Sequence, residues 1–244
     1  MSTSRFHFKY LDILRFVAAF MVVLGHGFQA WRTHYIEFKS TPEEYQSFID
    51  GNFRILDDFM SNMGLGVEIF FLISGFLITL ILIKEKQIYG NISIKNFFIR
   101  RALRIWPLYF VLIAIAPFLV EFVSRPQPDY WSNLFFYCNF EKIHSGFNYP
   151  FAHFWSIAIE EQFYVIWPFI IAYTPIKYLK YIFATIIAVS ITSRCIFLGY
   201  HNAESYIYLH TFSRMDTLVI GGWIALAFFN NKIKFHTNRI LKAI

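Results

Sequence analysis

Six apolar stretches recur along the chain, at residues 13–30, 63–83, 105–123, 154–173, 181–198 and 212–229, separated by polar or charged segments. At 1.5 Å rise per residue, about 20 helical residues cross the ~30 Å hydrocarbon core of a bilayer, so each stretch predicts a spanning helix. The last is marginal, because its purely apolar run starts only after Asp216. The first follows Arg5 and Lys9 as a secretory leader would. Arg15 and His26 within it, and no small-x-small cleavage site after it, predict a retained helix.

Composition agrees. Of 244 residues 57% are hydrophobic and only 16% charged, and Phe alone fills 31 positions. A water-soluble globule of this size lacks the polar cover to hide so much apolar surface. The fold class expected is all-α: a polytopic transmembrane bundle of about six spanning helices, one domain over residues 1–244. Cys138 and Cys195 form neither a zinc spacing nor a CxxC pair, and read as buried thiols with a disulfide as the lesser alternative.

The net charge of +6 would point a soluble protein towards nucleic acid, but topology absorbs it. With the N-terminus in the cytoplasm, the inner segments hold Arg5, Lys9, Lys84, Lys86, Lys95, Arg100, Arg101, Arg104, Lys177, Lys180, Lys232, Lys234, Arg239 and Lys242. The outer loops hold only Arg32, Lys39, Arg54, Arg125 and Lys142. Basic residues collect on the cytoplasmic side, so both ends are expected inside. No nucleic-acid partner is expected.

Ionisable side chains inside spanning helices cost at least ~2.5–3.5 kcal/mol each and need a reason. Arg15 and His26 are eleven residues apart, ~1100° of helix, which places them on one stripe ~16.5 Å apart along the axis. A snorkelling arginine and a satisfied core histidine explain them alone; the shared stripe argues for a lined cavity. Arg101 and Arg104, adjacent on one helix face, suit a phosphate-bearing ligand, although positive-inside anchoring explains them as well. Ser156, Glu160 and Tyr164 follow i, i+4, i+8 as a polar stripe, and the neighbouring Glu160 and Glu161 require partners, for which His26 and Arg15 are available. Gly66, Ser74 and Gly75 read as helix-packing positions. A local salt bridge would account for Arg214 and Asp216.

In order along the chain, Leu11-Asp12-Ile13-Leu14-Arg15 leading to His26, Gly66-Val67-Glu68-Ile69-Phe70-Phe71-Leu72-Ile73-Ser74-Gly75-Phe76-Leu77, Arg101-Ala102-Leu103-Arg104-Ile105-Trp106-Pro107-Leu108-Tyr109, Trp155-Ser156-Ile157-Ala158-Ile159-Glu160-Glu161-Gln162-Phe163-Tyr164 and Arg214-Met215-Asp216 with Gly221 resemble the acyltransferase-3 family of bacterial membrane acyltransferases. Glu68 replaces the commoner aspartate and Ile157 a leucine. Family members usually have about ten spanning helices, so six imply a truncated version of the longer fold.

The resemblance implies a bacterial inner-membrane O-acyltransferase. It would move an acyl group, usually acetyl, from cytoplasmic acyl-CoA to a hydroxyl of an extracytoplasmic glycan in the cell envelope. On that basis His26 is the expected general base, Glu160 orients it, Arg15 assists, and Arg101, Arg104, Ser156 and Tyr164 hold the donor. No metal is expected. Self-association or a partner chain is left open, as are a transporter of an envelope precursor or small anion and an inactive truncated relative.

Overall fold

The computed structural model describes residues 9–39, 41–46, 53–122, 127–147 and 150–230. Arg5, Arg125 and the basic tail from Lys232, used above to assign topology, lie outside these residues. Among the described residues there is no strand. The helices are α1 (Lys9–Lys39), α2 (Arg54–Ser61), α3 (Leu65–Tyr89), α4 (Ile94–Phe122), α5 (Tyr130–Leu134), α6 (Cys138–Ser145), α7 (Phe154–Tyr173), α8 (Leu179–Phe197), α9 (Ala203–Leu209) and α10 (Thr211–Phe229).

All six expected long helices are present, and among the described residues five stretches are long and apolar enough to cross a membrane: Tyr10–Tyr35, Arg54–Tyr89, Ile94–Phe122, Ile176–Phe197 and Ala203–Phe229. α7, the remaining expected span, has the length and carries Glu160, Glu161 and Gln162 in its middle. Two boundaries also move. α1 continues past residue 30 because Phe28, Trp31 and Tyr35 form an aromatic ladder at helical spacing, with centroids 5.6 Å apart at each step. α4 starts at Ile94, ahead of the apolar run, so Arg100, Arg101 and Arg104 stand on its first turns. Gly90, at φ +74°, takes the left-handed conformation that ends α3.

The chain divides into two compact units, one up to Ile73 and one from Ser74. In the first, α1 packs against the start of α3 at glycines: a methyl on Gly66 would stand 2.5 Å from the Ala18 carbonyl oxygen. Tyr45 is buried against Trp31 and Tyr35, and its hydroxyl donates to Asp57 Oδ1 at 2.8 Å. Burial, reinforced by the Asp57 carboxylate, pushes this phenol up to about 12.

In the second unit Tyr109, Ile113, Ala116, Cys138, Phe151, Phe154 and Ala158 form one apolar cluster. A stack of Phe163, Trp167 and Phe183 forms another, with centroids 4.4 and 5.1 Å apart. Between the clusters, α3 and α7 are tied twice. Ser74 Oγ donates to Glu160 Oε1 at 2.8 Å, and further along Lys86 Nζ donates to the Ile171, Ala172 and Thr174 carbonyls, each at 2.8 Å. The lysine thus caps the C-terminus of α7, where the helix dipole favours a cation. Since both ties advance together along the two helices, α3 and α7 run in the same direction.

The cysteines differ from expectation. Both are free, but only Cys138 is buried, while Cys195 is exposed on α8. Burial pushes the Cys138 thiol up to about 11, so the thiol form dominates at pH 8. N-ethylmaleimide applied to detergent-solubilised protein is expected to modify Cys195 and spare Cys138 until denaturation. Mass spectrometry of the labelled peptides checks this, and early labelling at Cys138 would contradict the packing of α6.

Candidate functional site

The second unit brings Glu160, Tyr164 and Arg101 together. Glu160 lies two turns into α7, where the helix faces both α3 and α4. Its Oε1 accepts from Ser74 and its Oε2 accepts from the Tyr164 hydroxyl at 2.8 Å, so both oxygens are engaged by neutral hydroxyl donors. Arg101, half-buried on α4, places its guanidinium 5.8 Å from the ring centroids of Phe97 and Tyr164. Its charge is felt at Glu160, as is that of Arg104, the exposed arginine one turn further along. The result is a carboxylate fixed in orientation near a guanidinium that lies over two aromatic rings. Such a guanidinium keeps its fork of N–H donors for a planar or tetrahedral anion.

Glu161, buried, accepts from Trp106 Nε1 at 3.1 Å through Oε2. Gln162 is a hub: its Nε2 donates to the Phe136 carbonyl at 2.7 Å and to Asn139 Oδ1 at 2.9 Å, and its Oε1 accepts from Thr211 Oγ1. The Phe136 carbonyl belongs to a residue at φ +55°, a conformation a bulky side chain adopts only when its surroundings compensate. The compensation here is that hydrogen bond together with ring stacking on Tyr109, 4.7 Å away.

The remaining expected residues fall elsewhere. Ser156 sits in the first turn of α7 and donates to the His153 carbonyl at 3.0 Å, so it does not join Glu160 and Tyr164. Arg15 pairs with Asp12 at 3.0 Å on α1. His26, also on α1, is exposed and makes no hydrogen bond among the described residues. Both belong to the first unit, and the carboxylate cluster to the second. The expected Arg214–Asp216 bridge is replaced: Asp216 pairs with Arg194 of α8, and the Arg214 guanidinium lies 5.8 Å from the Trp155 ring centroid and 5.1 Å from that of Tyr208. Residues two apart on a helix point to different sides, which separates the pair.

Sequence reasoning missed Ser74, Trp106 and Gln162. A hydroxyl and an amide in otherwise apolar runs are the only signal the sequence carries for Ser74 and Gln162. Among the described residues no group of three or more His, Cys, Asp or Glu side chains could hold a metal ion.

A family profile described as an acyltransferase domain matches residues 8–244. The Staphylococcus aureus (strain COL) protein named "Putative O-acetyltransferase SACOL0978" is 32% identical over 197 residues, covering 74% of this chain and 33% of that protein. "O-acetyltransferase OatA" of Staphylococcus aureus (strain NCTC 8325 / PS 47) is 32% identical over 173 residues, covering 64% of this chain and 29% of that protein. The chain therefore spans about a third of the length of the curated relatives it matches. No solved structure matches.

Proposed function

The chain belongs to the acyltransferase-3 family, and from that premise we propose that it transfers an acyl group, acetyl above all, from acyl-CoA to a hydroxyl of an extracytoplasmic glycan. It would do so in the bacterial cytoplasmic membrane, with the Arg101 and Arg104 face inside. The observation that carries this reading is the ring-backed guanidinium of Arg101 beside the fixed Glu160 carboxylate, with Arg104 one turn away. The two arginines present donors to the coenzyme's phosphates. The relatives named for O-acetyl transfer support the acyl group and the oxygen acceptor.

In the reaction, His26 takes the proton of the acceptor hydroxyl as its oxygen attacks the thioester carbonyl carbon. A C–O bond forms, the C–S bond breaks, and the coenzyme thiolate leaves with the proton that the imidazolium returns. Arg15, on the same stripe of α1, is a donor for an oxyanion or for the donor arm, whereas the Tyr164 proton is given to Glu160. Ser156 keeps only the acceptor capacity of its hydroxyl, since its proton is given to His153.

Because His26 is exposed and makes no hydrogen bond among the described residues, His26→Ala is expected to leave folding intact and to lower acyl transfer by ~10²–10⁴-fold, the usual contribution of a general base. Proton NMR of O-acetyl groups on envelope glycans measures it, in a deletion strain carrying either form at matched membrane levels. Equal restoration by both forms would remove His26 from the chemistry.

A further inference from the structure

We propose that α2 is an interfacial helix whose apolar arc, Ile55, Leu56 and Phe59, is seated in the headgroup layer of the bilayer. At ~100° per residue these three side chains fall within an arc of ~100°, and Arg54, Asp58 and Ser61 fall within ~60° on the opposite side. Asp57 and Met60 lie between. The exposures follow the same division. Ile55, Leu56 and Phe59 are 87%, 47% and 60% exposed, whereas Asp57 and Met60 are the two less exposed positions of the helix. Asp57 is the attachment point, accepting from the buried Tyr45 hydroxyl at 2.8 Å. The helix thus has one side on protein, one polar side and one apolar side with no protein on it among the described residues.

Level along the membrane identifies the occupant. Residues 54–89 form a helix-rich stretch of 36 residues, ~54 Å if fully helical, against ~40–45 Å for core and headgroups together. Lys84 closes the apolar run of α3, and the twenty residues that end on it, ~30 Å of helix, begin at Leu65. The end of α2 at Ser61 is therefore just beyond the hydrocarbon, at the depth where amphipathic helices bury an apolar face. α1, which α2 contacts, is itself exposed at apolar positions. It exposes Phe20 and Val23 in its apolar run and then Trp31, a ring suited to the membrane–water boundary. Met63, one turn after α2, packs on Gly25 of the same helix. The polar side carries one aspartate, Asp58, against one arginine, Arg54, so attraction to anionic lipid plays no part in the seating. Attachment to α3 supplies what that attraction gives to peripheral helices.

The test uses the whole chain with Cys195→Ser, leaving Cys138 buried, and one added cysteine at a time: Ile55→Cys, Phe59→Cys or Asp58→Cys. Each carries the fluorophore NBD and is reconstituted into phosphatidylcholine vesicles with and without phosphatidylglycerol. Blue-shifted emission is expected at 55 and 59, with quenching by nitroxide-labelled lipid several-fold stronger than at 58. Iodide should quench position 58 preferentially, and both patterns should be the same in the two lipid mixtures. Iodide reaching 55 and 59 as freely as 58 would overturn the proposal. Protection of 55 and 59 from both quenchers would overturn it too, in favour of a second copy if dilution in lipid abolishes it and of another protein segment if not.

Discussion

Gly75→Ala is expected to give the largest loss of stability of any single added methyl in the described chain. The new carbon would overlap the Leu218 carbonyl oxygen and crowd the backbone carbons behind it, so no side-chain rotation relieves the clash. α3 and α10 must part, at a cost of about 3 kcal/mol or more. Small residues at such crossings are what allow helix backbones to approach in a membrane, where packing replaces hydrophobic exclusion as the driving force. Ser74 moves with its neighbour, so the tie to Glu160 is expected to fail with it. Gly222→Ala is the milder comparison, because its methyl meets the side chains of Thr79 and Trp167. Gly27→Ala, with nothing within 4 Å, is the blank. Thermal unfolding in detergent, followed by fluorescence-detected size exclusion, ranks the three. A Gly75→Ala protein that melts with Gly27→Ala would show that the crossing is looser than described.

Glu160→Ala is expected to damage both folding and activity. It strands two hydroxyl donors, Ser74 and Tyr164, and leaves the Arg101 charge without its facing carboxylate. Breaking such a half-buried arrangement costs about 3 kcal/mol. Acyl transfer should fall by ~10²-fold or more if the carboxylate keeps Arg101 in place for the donor. Glu160→Gln separates the two effects. It keeps the shape, loses the charge and offers one oxygen in place of two, so it should fold yet bind acetyl-CoA less tightly than wild type. Calorimetric titration of the purified variants with acetyl-CoA is the measurement. Wild-type affinity in Glu160→Gln would release the carboxylate from any part in holding Arg101.

The long helices were legible because apolar runs of spanning length leave few alternatives. α5, α6 and α9 were not, since each has too few residues to show a period and is held instead by tertiary contacts such as Asn139 to Leu209 and Thr211. At the site, the Glu160–Tyr164 bond was legible as an i, i+4 pair, and Arg101 with Arg104 as an i, i+3 pair. Ser74 was not, because its partner lies 86 positions away. Asp216 was assigned to Arg214 by nearness in sequence, although helical geometry already argued against that pairing.

The two ties between α3 and α7 have a mechanical consequence. Ser74 to Lys86 and Glu160 to Ala172 are equal intervals of twelve residues, ~18 Å of helix on each side. Two parallel rods pinned at two matched points can neither slide past one another nor pivot about a single pin. A displacement of a neighbouring helix would therefore swing against this pair and not within it. The pair acts as a rigid frame for the helices packed around it.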